Sequence, residues 1–374
     1  MSLLSGDMSD RRNKGFAAKL HIDLPLLAGL LVLMGFGLMV LYSASGGSEL
    51  QLRAQIIRLV IAFGAMIFFA WIPPRVYQKW TPLIFTVGII MLIAVLLVGE
   101  VGKGAQRWLS FAGFRFQPSE IMKLAVPMMV AWYFSERRLP PNFSELLVAG
   151  VLIILPSYLI MIQPDLGTSI LIASSGAFVI FLAGIRWRVL ISLLLVVVIY
   201  APIHWLLVMQ DYQKQRVLTF INPEQDRLGA GYHIIQSQIA IGSGGMKGKG
   251  WMQGTQSQLE FLPERNTDFI FAVLGEEFGF TGVLLLLATY LWIVGRGFLI
   301  SLRAQETYTR LLSGAITLTF FVYVFVNIGM VTGILPVVGL PLPLVSYGGT
   351  SMVTVMVSFG ILMGIQTHKK LLPG

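Results

Sequence analysis

The chain has 374 residues, of which 56% are hydrophobic and 12% are charged, and its mean hydropathy is +0.77. Because a soluble domain carries about 25% charged residues, most of this chain is expected to lie in lipid. Cysteine is absent, which excludes disulfides, cysteine-ligated metals and cysteine nucleophiles, and the four histidines are scattered. The net charge of +9 does not indicate nucleic acid, because the basic residues mostly punctuate apolar runs, as topology signals do.

Apolar runs long enough to cross a bilayer recur along the whole chain. A polar, basic tail over residues 1–20 precedes the first run, which is too long for the core of a signal peptide. The sequence therefore predicts an all-α, polytopic membrane protein that forms a single transmembrane domain over 1–374. About ten spans are expected: 24–42, 54–72, 80–99, 118–134, 145–162, 167–184, 189–209, 269–294, 311–332 and 350–365.

The short loops indicate how these spans are oriented. Pairs such as Arg137 with Arg138, or Arg186 with Arg188, fall on the same side as the basic tail. By the positive-inside rule both termini are then cytoplasmic, which an even number of spans allows. The long segment 210–268, between the seventh and eighth spans, is predicted to be extracytoplasmic.

The segment 101–123 brings Arg107 and Trp108 to that same exterior and then carries Glu120 and Lys123 into a span. Glu120 and Lys123 are three residues apart, so they share a helix face and can pair. Charges this far into a span cost about 2.5–3.5 kcal/mol each on insertion scales, unless they face a wet cavity. The pair therefore indicates a functional site, and a structural ion pair between helices is the alternative.

Two further segments reach the same side of the bundle. The short turn QPDLGTS (163–169) has Asp165 opening the next span, where it is either a helix N-cap or a site residue. The stretch 331–349 is broken by proline and glycine at membrane depth. Such irregular backbone is tolerated where it is buried in protein or lines a cavity.

The exterior segment has two recognisable parts. Residues 232–241 predict an amphipathic helix, with Ile234 among the residues against lipid or the bundle. The following stretch GSGGMKGKGW (242–251) is dense in glycine beside Lys247 and Lys249. It is either a flexible loop or a place where backbone amides approach a phosphate, although it lacks the spacing of a P-loop.

The stretch QLEFLPERNTDFIFAVLGEE (258–277) leads from this polar segment into the eighth span. Asp268 lies at the seam, with Arg265 just before it. An ionisable residue at a membrane boundary is a functional candidate, and a helix N-cap formed by Thr267 or Asp268 is the alternative. On the predicted topology, Asp268 shares a possible common cleft with Asp165 and Lys123.

These segments resemble the SEDS family (shape, elongation, division and sporulation), and the similarity favours its rod-shape-determining branch over its division branch. The resemblance runs from about His21 to Lys370. It rests on KGAQRWL, RFQPSEIMKLAVP, QPDLGTS, GYHIIQSQIAIGSGG, GKGW, GTQSQLEFLPERNTDFIFAVLGEE, GILPVVGLPLPLVSYGG and the closing THKK.

This resemblance implies a peptidoglycan glycosyltransferase of the bacterial inner membrane that polymerises lipid II outside the cytoplasm during cell elongation. It implies a class B penicillin-binding protein and the elongation machinery as partners. It also implies that Asp268 is the essential acidic residue, that Asp165 and Lys123 belong to the same cavity, and that Trp108 is the tryptophan of the QRW motif.

The chemistry of such a transfer fits the residues independently. Forming a β-1,4 link from an α-linked phosphate inverts the sugar C1, so a carboxylate must take the acceptor proton and cations must stabilise the departing undecaprenyl pyrophosphate. Asp268 is the candidate base, and Lys123 and Arg107 are candidates for phosphate contact. Arg265 and Glu120 are further substrate-site candidates.

Several alternatives stay open at this point. Asp165 either orients Lys123 or binds a divalent cation, and the sequence identifies no metal ligands and no cofactor. A lipid II flippase would also be polytopic, although no pair of Gly/Pro-broken helices recurs in the two halves of the chain. A scaffold that only recruits the penicillin-binding protein would not need Lys123 inside a span.

Overall fold

The computed structural model describes residues 21–102, 105–111, 114–209, 211–225, 229–259, 261–262 and 264–368, so the predicted tail 1–20 lies outside it. One small antiparallel sheet consists of β1 (Glu100–Gly102), β2 (Ala105–Phe111) and β3 (Phe114–Phe116). The α-helices are α1 (Leu24–Ala44), α2 (Glu49–Trp71), α3 (Pro74–Val98), α4 (Pro118–Ser135), α5 (Phe143–Ile162), α6 (Leu166–Leu182), α7 (Trp187–Ile203), α8 (Asp211–Ile221), α9 (Ala230–Gly244), α10 (Thr255–Gln258), α11 (Ile270–Leu302), α12 (Thr307–Val331) and α13 (Thr350–Thr367).

Each of the ten predicted spans corresponds to a helix, namely α1 to α7 and α11 to α13. Within the described part of the chain, seven of these are both long and apolar enough to cross a membrane: α1, α2, α3, α5, α11, α12 and α13. Helices α6 and α7 have 17 residues each, and α4 contains Glu120 and Lys123. The prediction of a polytopic, predominantly α-helical membrane protein is confirmed.

Local sequence signals set where these helices begin. Asp23 caps α1 by accepting a hydrogen bond from the backbone of Leu26, and Ser48 caps α2 in the same way. Pro118 occupies the first position of α4, where a missing N–H costs nothing.

Because most of the connections are short, consecutive spans run in opposite directions. Helices α2, α4, α6, α11 and α13 therefore begin at one end of the bundle, which we call the site end.

Helices α2 and α13 pack closely because α13 carries glycine on one face. A Cβ added to Gly360 would lie 2.4 Å from the carbonyl oxygen of Met66, and one added to Gly364 would lie 3.1 Å from that of Ala70. These glycines are four residues apart, the spacing that lets two membrane helices approach backbone to backbone. The last span is thereby held against the second.

The antiparallel sheet at the site end corrects the all-α prediction for residues 100–116. Strand β2 pairs with β1 through Trp108 opposite Glu100, and with β3 through Leu109 opposite Phe116. The sequence analysis placed Arg107 and Trp108 of this segment at the exterior and predicted no strand there. In β2 the order Ala-Gln-Arg-Trp-Leu-Ser-Phe does not alternate between polar and apolar residues, so it carries no clear strand pattern.

The helix expected over 232–241 is confirmed as part of α9. Ile234 is buried against the bundle, whereas Ile239 is exposed. Which side of the membrane carries 210–268 stays a prediction.

Candidate functional site

The turn that precedes α11 carries Asp268 and is held by three consecutive carbonyl groups. The carbonyl of Asn266 accepts from the backbone N–H of Tyr347 at 2.8 Å. The carbonyl of Thr267 accepts from the hydroxyl of Ser346 at 2.5 Å. The carbonyl of Asp268 accepts from the side chain of Asn327 at 3.0 Å. Asp268 is half-buried, so its carboxylate stands on a fixed backbone within reach of water.

The helix-cap alternative for Asp268 is wrong in its placement. Helix α11 begins at Ile270 and its N-cap residue is Phe269, so neither Thr267 nor Asp268 occupies the capping position. The expected place of Asp268 at the entrance to the eighth span is confirmed.

The broken stretch between α12 and α13 forms one wall beside Asp268. Asn327 is fully buried and also donates to the carbonyl of Leu340 at 2.6 Å, which ties this stretch to the turn of Asp268. Gly339 has a φ of +78°, and a Cβ there would lie 3.6 Å from Oδ2 of Asp268. The carboxylate therefore faces a residue that has no side chain.

Asp165 is both a helix cap and a member of a charged cluster. Its Oδ1 accepts from the backbone N–H of Thr168 at 3.3 Å, which caps α6. Its Oδ2 accepts from the side chain of Gln117 at 3.3 Å and lies 3.5 Å from Nη1 of Arg107. Asp165 can therefore be a helix N-cap and a site residue at once, because Oδ1 caps α6 and Oδ2 faces the guanidinium of Arg107.

Arg107 extends from β2 over the turn between α5 and α6. Its guanidinium donates to the carbonyl of Gln163 at 3.2 Å and also to that of Pro164. Because these bonds add to the ion pair with Asp165, Arg107 fastens the sheet to the start of α6. Trp108 is the next residue of β2, so its side chain lies on the other face of the strand, where it is half-buried.

Glu120 and Lys123 form the ion pair that their spacing predicts, at 2.8 Å, with both side chains largely buried in α4. The Lys123 ammonium also stands 5.3 Å from the ring centroid of Tyr323 on α12 and is close enough to Asp165 to interact with its charge. Oε2 of Glu120 has no hydrogen-bond partner among the described residues. A buried carboxylate oxygen in that state is costly, which distinguishes this pair from a fully satisfied structural one.

The predicted convergence of segments is supported by two neighbouring residues of the broken stretch. Val338 packs at Gly167, two residues after Asp165, and Gly339 faces Asp268. The two aspartates thus lie near one short piece of backbone. The guanidinium of Arg265 donates a hydrogen bond to the carbonyl of Ser257, and its contact with the substrate stays a prediction.

Two cavities adjoin the Glu120–Lys123 pair inside the membrane region. An apolar groove of about 400 Å³ runs between α2, α3, α4 and α13, and Glu120 lies in its lining. A second, small cavity of about 40 Å³ is lined by Lys123 and by mostly apolar residues of α4, α6, α12 and α13. Among the residues that the structure describes, no three His, Cys, Asp or Glu side chains are placed to hold a metal ion.

The glycine-rich stretch after α9 is neither a flexible loop nor, in its backbone, a phosphate cradle. Helix α11 is interrupted at Gly279, and the loop satisfies the backbone groups that this break leaves. The hydrogen bonds run from Lys249 N to Glu276 O, Gly250 N to Glu277 O, Phe280 N to Gly245 O and Thr281 N to Met246 O, at 2.9–3.1 Å. We call residues 245–250 the splint.

The side chain of Lys249 also forms an ion pair, with its ammonium 2.8 Å from Oε1 of Glu276.

The sequence analysis missed Asn327 and Ser346, which hold the turn of Asp268. Asn327 had a signal, because a lone amide inside an apolar span is expected to have a specific partner. Glu276 had a weaker signal, namely a carboxylate inside a predicted span about two helical turns after Asp268.

Known proteins are similar to this chain over nearly its whole length. A family model for FtsW, RodA and SpoVE, described as "Cell cycle protein", matches residues 24–371. The Escherichia coli K12 "Peptidoglycan glycosyltransferase MrdB" is 53% identical over 366 residues, covering 98% of this chain and 99% of that protein. The Geobacter metallireducens "Probable peptidoglycan glycosyltransferase FtsW" is 35% identical, covering 93% and 95%.

Solved structures share the architecture. A chain from "Structural coordination of polymerization and crosslinking by a peptidoglycan synthase complex" matches with a TM-score of 0.81 and 26% identity, covering 92% of this chain and 97% of that one. The Thermus thermophilus rod shape determining protein RodA matches with a TM-score of 0.70, covering 93% and 98%. At 24% identity, the second match supports the fold alone.

Proposed function

The chain belongs to the FtsW/RodA/SpoVE family and is a peptidoglycan glycosyltransferase, and we propose that it polymerises lipid II with Asp268 as the general base. The observation that carries this assignment is the setting of Asp268. Its backbone carbonyl and the two before it are hydrogen-bonded, and its carboxylate faces the bare backbone of Gly339. A general base needs such a fixed position within hydrogen-bond reach of the substrate hydroxyl.

The transfer uses one proton acceptor and at least one cation. The carboxylate of Asp268 takes the proton from the acceptor sugar hydroxyl as that oxygen bonds to C1 of the donor sugar. The bond between C1 and the phosphate oxygen breaks on the opposite face, so the configuration inverts, and undecaprenyl pyrophosphate leaves with the electron pair. The departing group gains negative charge, which a nearby ammonium or guanidinium stabilises.

Lys123 is the cation that we assign to the pyrophosphate. An ammonium has three N–H donors, and one of them reaches Glu120 at 2.8 Å. Glu120 lowers the cost of holding Lys123 charged inside the membrane, and it lies on the apolar groove between α2 and α4. We propose that this groove receives the lipid chain, which places the pyrophosphate at Lys123 and the sugars towards the site end.

Arg107, Trp108 and Asp165 complete the proposed site at the membrane surface. We assign the Arg107–Asp165 pair to holding the sheet over the sugars, since the guanidinium already donates to two carbonyl groups. Trp108 offers a half-buried ring on the opposite face of β2, a surface suited to the apolar face of a sugar. Arg265 stays a predicted substrate contact, and its guanidinium donates to the carbonyl of Ser257.

We further propose where the reaction takes place and with which partner. The chain spans the membrane several times, and we place it in the bacterial inner membrane with both termini cytoplasmic and 210–268 outside. The partner is a class B penicillin-binding protein whose single transmembrane helix packs on α11 or α12, and the activity serves cell elongation. The match to a chain of a peptidoglycan synthase complex supports such a partner.

The test of the base is Asp268→Asn in the purified, full-length protein with its partner present. The amide keeps the shape of the side chain, and Asp268 is not the cap of α11, so we expect stability to change by less than about 1 kcal/mol. Loss of the base should lower the rate of glycan formation from lipid II by about 100-fold or more. Binding of lipid II should survive in part, because the phosphate contacts lie elsewhere.

Two results would contradict this proposal. A folded Asp268→Asn protein that makes glycan at the wild-type rate would remove Asp268 from catalysis. A wild-type protein that moves lipid II across vesicle membranes and makes no glycan would identify a flippase instead.

A further inference from the structure

The segment that follows Asp268 is a half-helix with its own anchoring. Residues 270–278 precede the break at Gly279, where φ is +62° and ψ is −161°. Residues 269–277 are all buried. Because Asp268 stands immediately before this half-helix, whatever fixes its far end also contributes to fixing the turn of Asp268.

Glu276 lies in the last turn of the half-helix and is fully buried. Its Oε1 accepts from the Lys249 ammonium at 2.8 Å, from the Thr255 hydroxyl at 3.1 Å and from the backbone N–H of Gln256 at 2.9 Å. Its Oε2 accepts from the backbone N–H of Ser257 at 3.2 Å. Four donors thus meet one carboxylate, three of them from the first residues of α10.

The short helix α10 in turn contacts the turn of Asp268. The carbonyl of Ser257 accepts a hydrogen bond from the guanidinium of Arg265, three residues before Asp268. The side chain of Gln258 donates to the carbonyl of Ser43 at 3.3 Å, which fastens α10 to the end of α1. A continuous chain of contacts therefore runs from Glu276 through α10 and Arg265 to the turn that carries Asp268.

We propose that Glu276, with Lys249 as its counter-ion, is a positioning residue that holds the carboxylate of Asp268 in its reactive place through α10 and Arg265. This inference rests on the proposed role of Asp268 as the base. An ionised carboxylate this deeply buried is tolerated only when it is paired and fully hydrogen-bonded. Glu276 meets that condition with donors that all belong to the splint or to α10.

The first variant is Glu276→Gln in the full-length protein with its partner. The amide group must place an N–H₂ donor where a carboxylate oxygen now accepts, so one of the four bonds is replaced by a donor facing a donor. We expect kcat to fall about 10- to 100-fold, the range for a small displacement of a catalytic group, while KM for lipid II changes by less than about threefold. Lys249→Met should act in the same direction, and Lys249→Arg, which keeps the charge, should restore most of the rate.

Two controls separate positioning from general damage. Asp23→Asn makes the same chemical change in a buried carboxylate that pairs at 2.6 Å with Arg296, in the half of α11 remote from Asp268. It should lower the unfolding temperature as Glu276→Gln does and leave kcat per folded molecule unchanged. Lys247→Met removes an exposed charge from the same splint and should change neither quantity.

The route through Arg265 is tested by combining variants. If Glu276 acts through Arg265, Glu276→Gln should cost less than about a further twofold in kcat once Arg265→Met is present, because residues in one contact chain are not additive. Fully additive losses would overturn the route. If the Glu276→Gln enzyme is folded and keeps the wild-type kcat, and Asp268→Asn still abolishes activity, the positioning role of Glu276 is wrong and the proposed function stands. An active Asp268→Asn enzyme would instead contradict the proposed function.

Discussion

Gly279→Ala should be among the most damaging single-methyl additions in the protein. Its φ of +62° and ψ of −161° lie in a region that essentially only glycine adopts, which costs another residue about 1–3 kcal/mol. An added Cβ would lie 2.3 Å from the backbone nitrogen of Gly248 and 2.9 Å from the carbonyl oxygen of Gly245. The splint must move to relieve that clash, which weakens hydrogen bonds worth about 0.5–1.5 kcal/mol each. The expected loss is about 3–6 kcal/mol.

The measurement is unfolding of the purified protein in one detergent, for Gly279→Ala and two graded controls. Gly295 lies in the same helix with nothing within 4 Å of an added Cβ, so Gly295→Ala should stabilise by about 0.5–1 kcal/mol. Gly245 has a φ of +55° and a ψ of −145°, close to the backbone conformation of Gly279, but open space around its Cβ, so Gly245→Ala should cost only the backbone strain, about 1–3 kcal/mol.

The predicted order of stability is therefore Gly295→Ala, wild type, Gly245→Ala and Gly279→Ala. If Gly279→Ala unfolds together with the wild type, the splint does not support α11 and the reasoning fails. If Gly279→Ala yields no folded protein, the stabilities of Gly295→Ala, the wild type and Gly245→Ala still test the cost assigned to backbone strain.

Three further expectations concern charge, topology and pH. Lys123→Met combined with Glu120→Gln keeps the side-chain lengths and leaves no unpaired buried charge, so a merely structural pair should tolerate it; we expect nearly complete loss of glycan formation with expression retained, and normal turnover would return the pair to a structural role. Reporters fused at Gln225 and Gly374 should report opposite sides of the membrane, and equal signals would overturn the assigned topology. The rings of His21 and His368 stack at 3.9 Å, and burial, followed by the charge of His368, holds the pKa of His21 below its usual value. Because the unfolded chain then binds the proton more readily, stability should be complete above the unfolded pKa of about 6.5 and fall as the pH drops below it. His21→Phe should flatten that dependence when unfolding is followed at several pH values, and an unchanged slope would contradict the assignment.

The helical part of the fold was largely predictable because lipid imposes a simple rule. A span must satisfy its backbone internally, so twenty apolar residues almost always form a helix. That rule located every span, including the one that contains Glu120 and Lys123. It does not apply at the membrane surface, where the sheet over 100–116 was missed because its strands are only 3, 7 and 3 residues long and lack a clear polar–apolar alternation.

The break in α11 could not be predicted from local sequence. Gly279 lies in a mostly apolar helical stretch that also holds Glu276 and Glu277, where a glycine is ordinarily tolerated, and the loop that contacts it lies about thirty residues earlier. The same loop was expected to be flexible because glycine favours disorder when nothing packs against it. Here Gly248 lies against the carbonyl of Glu277, and the absence of a side chain allows that approach.

For the site, sequence reasoning brought Asp268, Asp165 and Lys123 to one end of the bundle. It could not supply the partners of Asp268, because Asn327 and Ser346 act through long-range contacts with backbone carbonyls. It assigned Arg265 to the substrate, which stays a prediction, and it did not foresee the hydrogen bond from Arg265 to the carbonyl of Ser257.

The splint also changes what hydrogen exchange should record. Amide protons in a glycine-rich surface loop ordinarily exchange with solvent deuterium within moments, since nothing protects them. Those of Lys249 and Gly250 are bonded to the carbonyls of Glu276 and Glu277, so they can exchange only when the break in α11 opens. The exchange rates of these two amides therefore report the opening of a membrane helix, although the amides themselves lie outside the lipid. Both rates should fall together when a ligand binds beside Asp268.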